Sequence, residues 1–237
     1  MEALRVDLPK RSAVMDEGTL ALVRCSPDGD WVKAVADSAR VSVLASRRRS
    51  SDEALVRSLI RRKHVSTLSH VTMTWFVRCP IFVARQWMRH WSWDFNEASG
   101  RYSVLPENFF VPAAGDVGFQ TKREHQGRDT AAVDERLRED VRQLITSTSE
   151  TAFAAYYKMI EAGISRELAR IVLPVNTFTE FYATVTLRDW LFFLQQRLDP
   201  HAQLEIRRLA AGMAGIVENW VDGQFMGLAR EEMGLQW

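Results

Sequence analysis

The chain has 237 residues, of which 46% are hydrophobic and 26% charged, with a formal net charge of +1. This predicts a globular protein with a substantial core and disfavours a protein that coats nucleic acid, which would need a marked basic excess. Two distant cysteines predict neither a disulfide framework nor a metal site, and the absence of an apolar leader or membrane span predicts a cytoplasmic protein with no membrane partner.

The first half of the chain alternates between helical and extended patterns. Apolar spacing predicts two helices between residues 30 and 63, the second opened by Ser51. Residues 70–79 alternate between apolar and polar side chains and predict a strand. Pro80 suits the first turn of a helix through residues 81–90, and Gly100 marks a bend after it.

The second half is mainly helical. Residues 111–130 are polar and glycine-rich without periodicity, which predicts a long mobile loop. Helices are predicted over 133–161, 188–198 and 200–224, with a short helix capped by Ser165 and a strand over 176–187. Without a repeat or linker, these elements predict one α+β domain spanning residues 1–237.

The stretch RQWMRHWSWDFNEASGRYS, residues 85–103, combines basic and aromatic side chains. In a helix, Arg85 and Arg89 would lie one turn apart on one face, and guanidinium groups suit phosphate. Further phosphate donors after the bend are Ser99, Gly100 and Arg101. The alternative is a solvated arginine face with tryptophans packed beneath it and Glu97 paired to an arginine.

Two further stretches carry charge among apolar residues. Arg170 lies in the apolar segment LARIVLP, where an unpartnered charge would be costly. Arg188 and Arg197 bracket an aromatic helix, and His201 follows it as either a ligand or a capping and packing residue. The segment KHVSTLSH, residues 63–70, is a weak signal by itself.

Together these stretches resemble the flavin-dependent thymidylate synthases, whose signature lies within the pattern RHRxxSxNExSxRY. Here residues 89–102 read RHWSWDFNEASGRY, and the segments PIFVARQW, ARIVLP and HAQLEI are also similar to that family. The similarity runs from about residue 60 to residue 210. It implies a single mixed α/β domain, with a small central sheet flanked by long helices, and a homotetramer with flavin sites at subunit interfaces.

The resemblance implies a methyltransferase that moves a one-carbon unit from methylenetetrahydrofolate to C5 of a uracil nucleotide, dUMP or UMP, with FAD and NADPH. Arg197 matches the arginine that polarises the pyrimidine and favours ionisation at N3. Positions matching nucleotide-binding residues are Gln86, Arg89, Glu97, Ala98, Ser99, Gly100, Arg101, Arg170 and Arg197. Positions matching flavin-binding residues are His64, Ser66, Arg89, His90, Trp91, Ser92, Thr186, Arg188 and His201.

The chain departs from the family at its flavin-binding positions. Trp91 replaces the second arginine of the signature, and the usual polar residues are replaced by Ser69, Thr186 and Phe192. This remodelled surface favours relatives that accept UMP in nucleoside-antibiotic biosynthesis. The alternative is a catalytically degenerate homologue that binds nucleotide or RNA by stacking bases on Trp87, Trp91 or Trp93, whereas the enzyme is expected to bind no nucleic acid.

Overall fold

A computed structural model describes residues 11–42, 50–121 and 127–237. Within these ranges one antiparallel sheet has the strand order β1-β2-β3-β7-β4. Its strands are β1 (Ser12–Met15), β2 (Gly18–Ser26), β3 (Thr72–Pro80), β4 (Asp94–Glu97) and β7 (Phe178–Thr186). A separate two-stranded sheet joins β5 (Phe119–Gln120) to β6 (Arg128–Asp129).

Helices cover the sheet and extend beyond it. They are α1 (Trp31–Arg40), α2 (Asp52–Arg61), α3 (Ile81–Trp87), α4 (Glu135–Glu161), α5 (Arg166–Ala169), α6 (Leu187–Arg197), α7 (Leu204–Trp220) and α8 (Gly223–Met233). Single 3-10 turns occupy Val65–His70, Ala114–Asp116 and Arg170–Val172. The predicted α+β class, with a small sheet and long helices, is confirmed.

Aromatic side chains fill the core between the sheet and its helices. The Trp75 ring of β3 stacks on Trp190 of α6 with centroids 6.4 Å apart. Trp31 meets both Trp190 and Phe225 edge-on, at 6.5 and 5.8 Å. Such pairs add to the hydrophobic gain from burying large rings. The core therefore joins α1, α6 and α8 over one face of the sheet.

Three strands of the main sheet, β1, β2 and β4, were not predicted from the sequence. Leu20, Ala21 and Leu22 of β2 are all buried. A strand that is covered on both faces lacks the apolar–polar alternation by which strands are recognised, so this one was not predicted. At the start of β2, a β-carbon on Gly18 would lie 1.8 Å from the carbonyl oxygen of Arg78. Only glycine allows the two strands to approach this closely.

Several predicted boundaries are wrong. The helix expected through residue 90 ends at Trp87, because the chain turns there and the His90 amide bonds the Trp87 carbonyl at 3.0 Å. The helix expected over 200–224 begins at Leu204, since Asp199 accepts a hydrogen bond from the His201 amide at 2.8 Å and holds a turn. It also breaks at Asp222, which caps α8.

The segment 111–130 is more ordered than a plain loop. It contains the turn Ala114–Asp116 and the pairing of β5 with β6, while residues 122–126 lie outside the described ranges. The mobility expected for this segment stays a prediction. Ser165 caps α5 as expected, accepting a hydrogen bond from the Leu168 amide at 3.4 Å.

Candidate active site

A cavity of about 750 Å³ opens where the C-terminal ends of α3 and α6 meet the start of α7. Side chains that line it include Gln86, Arg197, His201 and Gln203, and the small sheet contributes Arg128. A cavity of this size can enclose a nucleotide-sized ligand. It is therefore the candidate active site, and the residues Gln86, His90, Arg197 and Gln203 are called the cavity cluster below.

Arg197 is a half-buried cation without a carboxylate partner within the described ranges. Its Nε donates to His90 Nε2 at 3.0 Å, and its Nη2 donates to the Gln86 carbonyl oxygen at 3.1 Å. Burial lowers the pKa of Arg197 below its ordinary value. Neutral acceptors thus fix the guanidinium without cancelling its charge, which leaves that charge available to a ligand.

His90 is the neutral partner of Arg197. The side chain is 6% exposed, and its ring packs edge-on against Phe193 with centroids 5.0 Å apart. Burial, with a smaller contribution from the Arg197 charge, lowers the pKa of His90 to about 4. Because Nε2 accepts a hydrogen bond, the ring proton of the neutral form lies on Nδ1.

Two other arginines of the cavity wall are paired with carboxylates of the protein. Arg128 pairs at 2.6 Å with Glu205, a carboxylate that is 2% exposed. Arg208 pairs with Glu17 at 2.5 Å and with Asp116 at 2.6 Å. Within the described ranges Arg197 differs from both in lacking a carboxylate partner, which suits it to stabilising charge on a ligand. Arg207, on the same wall, donates to the Pro200 carbonyl oxygen at 2.7 Å.

A second group of predicted site residues gathers at the bend after β4, and we call Ser99, Gly100, Arg101 and Arg170 the phosphate cluster. A β-carbon on Gly100 would lie 3.2 Å from Cδ of Arg170, so the two residues are in contact. Ser99 Oγ accepts a hydrogen bond from the Arg101 amide at 3.2 Å. Arg101 also pairs with Glu167 at 2.9 Å, where both side chains are exposed.

The loop that carries the phosphate cluster is held by α4. Tyr156 Oη accepts a hydrogen bond from the Leu105 amide at 3.0 Å, and Tyr157 Oη donates to the Leu105 carbonyl oxygen at 3.2 Å. Before the bend, Glu97 accepts a hydrogen bond from Thr179 Oγ1 at 2.6 Å. Glu97 is thus fixed by a threonine rather than by an arginine, which corrects the alternative considered for it.

The cavity cluster and the phosphate cluster are separate within one chain. In the ranges that the structure describes, no hydrogen bond, ion pair or ring contact joins them. The Ala98 amide, also a predicted binding position, donates to the Glu180 carbonyl oxygen at 2.8 Å, so it serves the fold. One chain therefore presents the predicted nucleotide-binding residues as two groups.

Several positions that match flavin-binding residues already have protein partners. Arg188 pairs with Asp189 at 2.9 Å, and Thr186 caps α6 by accepting a hydrogen bond from the Asp189 amide at 3.3 Å. His201 Nδ1 lies 2.8 Å from Asp199. His64 and Ser66 are exposed at the 3-10 turn before β3, and Ser92 is half-buried.

The tryptophans of residues 85–103 have different environments. Trp87 and Trp93 are buried at 0% and 4% exposure, so the suggestion that bases stack on them is wrong. Trp91 is 91% exposed. Arg85 and Arg89 are exposed, but they do not share a helical face because α3 ends between them. The alternative, solvated arginines over packed tryptophans, therefore describes Arg85, Arg89, Trp87 and Trp93.

Five residues in or near these clusters were not predicted as site residues. Gln203 and Arg128 line the cavity, and Glu205 accepts a hydrogen bond from Gln203. Tyr156 and Tyr157 hold the loop after the phosphate cluster at Leu105. Glu205 lies in the HAQLEI segment, so its position in that motif was the available signal. The tyrosines gave no comparable signal, because their role depends on a contact with a loop more than 50 positions away.

Two absences hold for residues 11–42, 50–121 and 127–237. No helix there is long and apolar enough to cross a membrane. No group of three or more His, Cys, Asp or Glu side chains there could hold a metal ion.

The chain is similar to known proteins over most of its length. The model of the thymidylate synthase complementing protein family matches residues 22–221. A flavin-dependent thymidylate synthase of Treponema denticola is 40% identical over 210 residues, covering 87% of this chain and 77% of that protein. One from Thermus thermophilus is 39% identical over 214 residues, covering 90% of this chain and 76% of that protein.

Solved structures show the same fold. The UMP/dUMP methylase PolB from Streptomyces cacaoi, bound with 5-Br UMP, superposes with a TM-score of 0.79 at 33% identity, covering 91% of this chain and 94% of that one. The same enzyme bound with 5-Br dUMP gives a TM-score of 0.77 at 32% identity, covering 89% and 94%. By its sequence and its fold, the chain belongs to the flavin-dependent thymidylate synthase family.

Proposed function

We propose that this chain transfers the one-carbon unit of methylenetetrahydrofolate to C5 of a uracil nucleotide, dUMP or UMP, with reduced FAD as hydride donor and NADPH as reductant. Family membership supports a flavin-dependent methyltransferase. The observation that carries the proposal is Arg197, a half-buried guanidinium on the cavity wall held by His90 and by the Gln86 carbonyl.

Arg197 supplies charge where the reaction needs it. C5 of uracil is a weak nucleophile, and loss of the N3 proton strengthens it by placing negative charge on the ring nitrogen and oxygens. A guanidinium that is already fixed stabilises that charge without reorganising, and such preorganised groups give the largest electrostatic contribution to catalysis. Within the described ranges Nη1 of Arg197 has no partner, so its two N–H groups are available to the pyrimidine.

The phosphate cluster supplies the donors that a nucleotide phosphate needs. Arg101 and Arg170 provide charged forks, Ser99 a hydroxyl and Gly100 a backbone amide. The exposed pair of Arg101 with Glu167 holds the guanidinium only weakly, since such surface pairs contribute about 1 kcal/mol or less. A phosphate can therefore take the place of Glu167.

A complete site requires a second copy of the chain. The phosphate cluster is not joined to the cavity cluster, and apolar side chains around Arg170 are exposed: Leu168 (53%), Ile171 (72%) and Val175 (52%). Exposed apolar patches of this kind are typical of subunit interfaces. We place the site between copies of the chain in a homotetramer, with the cavity cluster from one subunit and the phosphate cluster from another.

The residues present fit a bound flavin. Trp91, which follows His90 in sequence, is 91% exposed, and Phe192, whose ring lies 6.4 Å from that of His90, is 53% exposed. Both offer aromatic surface to a planar ring. His64 and Ser66 offer exposed polar groups at the turn before β3. When bound, FAD supplies the hydride that reduces the transferred carbon to a methyl group.

The test is a methylation assay with dUMP and with UMP, using wild type, Arg197→Ala and the control Arg136→Ala. Arg136 lies on α4, and its side chain is 92% exposed, outside both clusters. Losing a preorganised charge should lower kcat about 100- to 1000-fold in Arg197→Ala, while Arg136→Ala keeps wild-type turnover. Near-normal turnover of Arg197→Ala would reject the role of Arg197, and inactivity of wild type on both nucleotides would reject the function.

Mixing two inactive variants tests the shared site. Arg197→Ala lacks a functional cavity cluster, and the double variant Arg101→Ala/Arg170→Ala lacks a functional phosphate cluster. If each site takes its clusters from different subunits, unfolding and refolding the two variants together should restore roughly one quarter of the sites by random pairing. No recovery from the mixture would show that each chain builds its own site.

A further inference from the structure

The buried carboxylate of Glu205 lies behind the wall of the cavity, in the first turn of α7. Oε1 accepts a hydrogen bond from Arg128 Nη2 at 2.6 Å, and Oε2 accepts one from Gln203 Nε2 at 2.8 Å. Both oxygens therefore have partners. Burying an ionised group is costly even when it is paired. The carboxylate of Glu205 should therefore have a role that a neutral side chain of the same shape could not fill.

A carboxylate accepts hydrogen bonds and cannot donate them. Gln203 must therefore turn its N–H₂ group toward Glu205, which directs its Oε1 toward Gln86. Gln86 in turn donates from Nε2 to Gln203 Oε1. Each carboxamide has one donating end and one accepting end, so the direction of both amides follows from the single group that can only accept.

The order of these bonds leaves one atom unused. Within the described ranges, Gln86 Oε1 has no hydrogen-bond partner, and Gln86 lines the cavity. The backbone carbonyl of the same residue accepts from Arg197 Nη2 at 3.1 Å. Gln86 is thus held at its main chain by Arg197 and at its side chain by the relay that begins at Glu205.

We propose that Glu205 is a positioning residue that, through Gln203, fixes the Gln86 carboxamide so that its oxygen accepts a hydrogen bond from the nucleotide. This inference deepens the proposed function and rests on it. The nucleotide dUMP offers two such donors, N3–H of the uracil ring and the 3′-hydroxyl of the sugar. Cytosine has an acceptor at N3, so an acceptor fixed at the ring would also discriminate against cytosine.

A structural explanation for Glu205 predicts a different result. Through its ion pair with Arg128, Glu205 also connects the β5–β6 sheet to α7. If this connection were its only role, losing it would lower the affinity for all nucleotides alike. Glu17 provides a matched control, since it is a 3% exposed carboxylate paired to Arg208 of the same helix at 2.5 Å, with no bond to the amide relay.

The experiment measures affinity of wild type, Glu205→Gln and Glu17→Gln for dUMP, dCMP and 2′,3′-dideoxy-UMP, together with kcat and KM for dUMP. In Glu205→Gln both amides can reverse, so we expect dUMP affinity to fall about 3- to 10-fold, as for one lost hydrogen bond. The value of kcat should change less than KM, and Glu17→Gln should retain the wild-type affinities.

The nucleotide panel identifies the donor. If the donor is N3–H, Glu205→Gln lowers the affinity for dUMP and dideoxy-UMP and leaves the affinity for dCMP unchanged or higher. If the donor is the 3′-hydroxyl, the affinities for dUMP and dCMP fall equally and the affinity for dideoxy-UMP does not fall. Equal weakening of all three nucleotides, or unchanged dUMP affinity in an active background, would overturn the relay, whereas an inactive wild type would overturn only the methylation on which it rests.

Discussion

The neutral state of His90 should make the stability of the protein depend on pH in a defined window. The ring is buried, accepts a hydrogen bond from Arg197 and has its pKa lowered to about 4. A protonated ring could not accept that bond and would place a second cation beside the guanidinium. In the unfolded chain the same histidine titrates near its ordinary value of about 6.5.

The size of the effect follows from the two pKa values. Above pH 6.5 the histidine is neutral in both states, so its stabilising contribution is fully present. As the pH falls from about 6.5 to about 4, the unfolded state binds a proton that the folded state does not, and stability is lost. The difference between the two values corresponds to about 3 kcal/mol.

The assay is urea unfolding between pH 4 and pH 8 at one protein concentration, comparing wild type with His90→Gln. Glutamine keeps an oxygen acceptor for Arg197 but does not titrate, so wild type should lose about 3 kcal/mol more than the variant between pH 7 and pH 4. His70→Gln, at an exposed position, should follow the wild-type profile. Parallel profiles for wild type and His90→Gln would refute the reasoning.

Three further substitutions test other parts of the structure. Gly18→Ala should destabilise the fold by roughly 2–4 kcal/mol in urea unfolding, because the β-carbon would lie 1.8 Å from a backbone oxygen of β3; a wild-type midpoint would contradict this approach. Asp222 accepts hydrogen bonds from the amides of Trp31 at 2.6 Å and Phe225 at 2.8 Å, so Asp222→Ala should cost about 2–4 kcal/mol and Asp222→Asn less, and equal losses would reject the double cap. Trp91→Arg should leave the Tm unchanged, since the side chain is 91% exposed, and should strengthen FAD binding in a flavin titration, whereas weaker binding would indicate that the indole itself stacks on a ligand.

The elements that were predictable carry a signal in their local sequence. In β3 the apolar Met73, Trp75 and Val77 alternate with other side chains, which include two threonines, so the residue types alternate even though the middle of the strand is buried on both faces. α4 begins at a cap, Asp134, that accepts a hydrogen bond from the Leu137 amide. The first half of β2 is buried on both faces and shows no alternation, while β4 is a four-residue edge strand of mostly polar residues. The formation of those strands depends on elements that are distant in sequence, and the local residue pattern does not indicate it.

The site shows the same division. The motifs identified Gln86, His90 and Arg197 as residues of interest, but their mutual contacts span more than 100 positions and arise only when α3 meets α6. The burial of Trp87 was also not predictable, since a tryptophan among arginines suits either a stacking surface or a packed core. The direction of the Gln203 and Gln86 amides depends on which neighbour cannot donate, and that is a property of the assembled structure.

The double cap at Asp222 has a consequence for how the protein is made. Its carboxylate holds the first amide of α1 across 191 positions, and Phe225 of α8 completes the packing around Trp31. A ribosome adds about 5–20 residues per second, so roughly 10–40 s separate the synthesis of Trp31 from that of its partner. Throughout that interval the apolar side of α1 lacks its final cover, which makes the nascent chain a client for chaperones that shield exposed apolar surface.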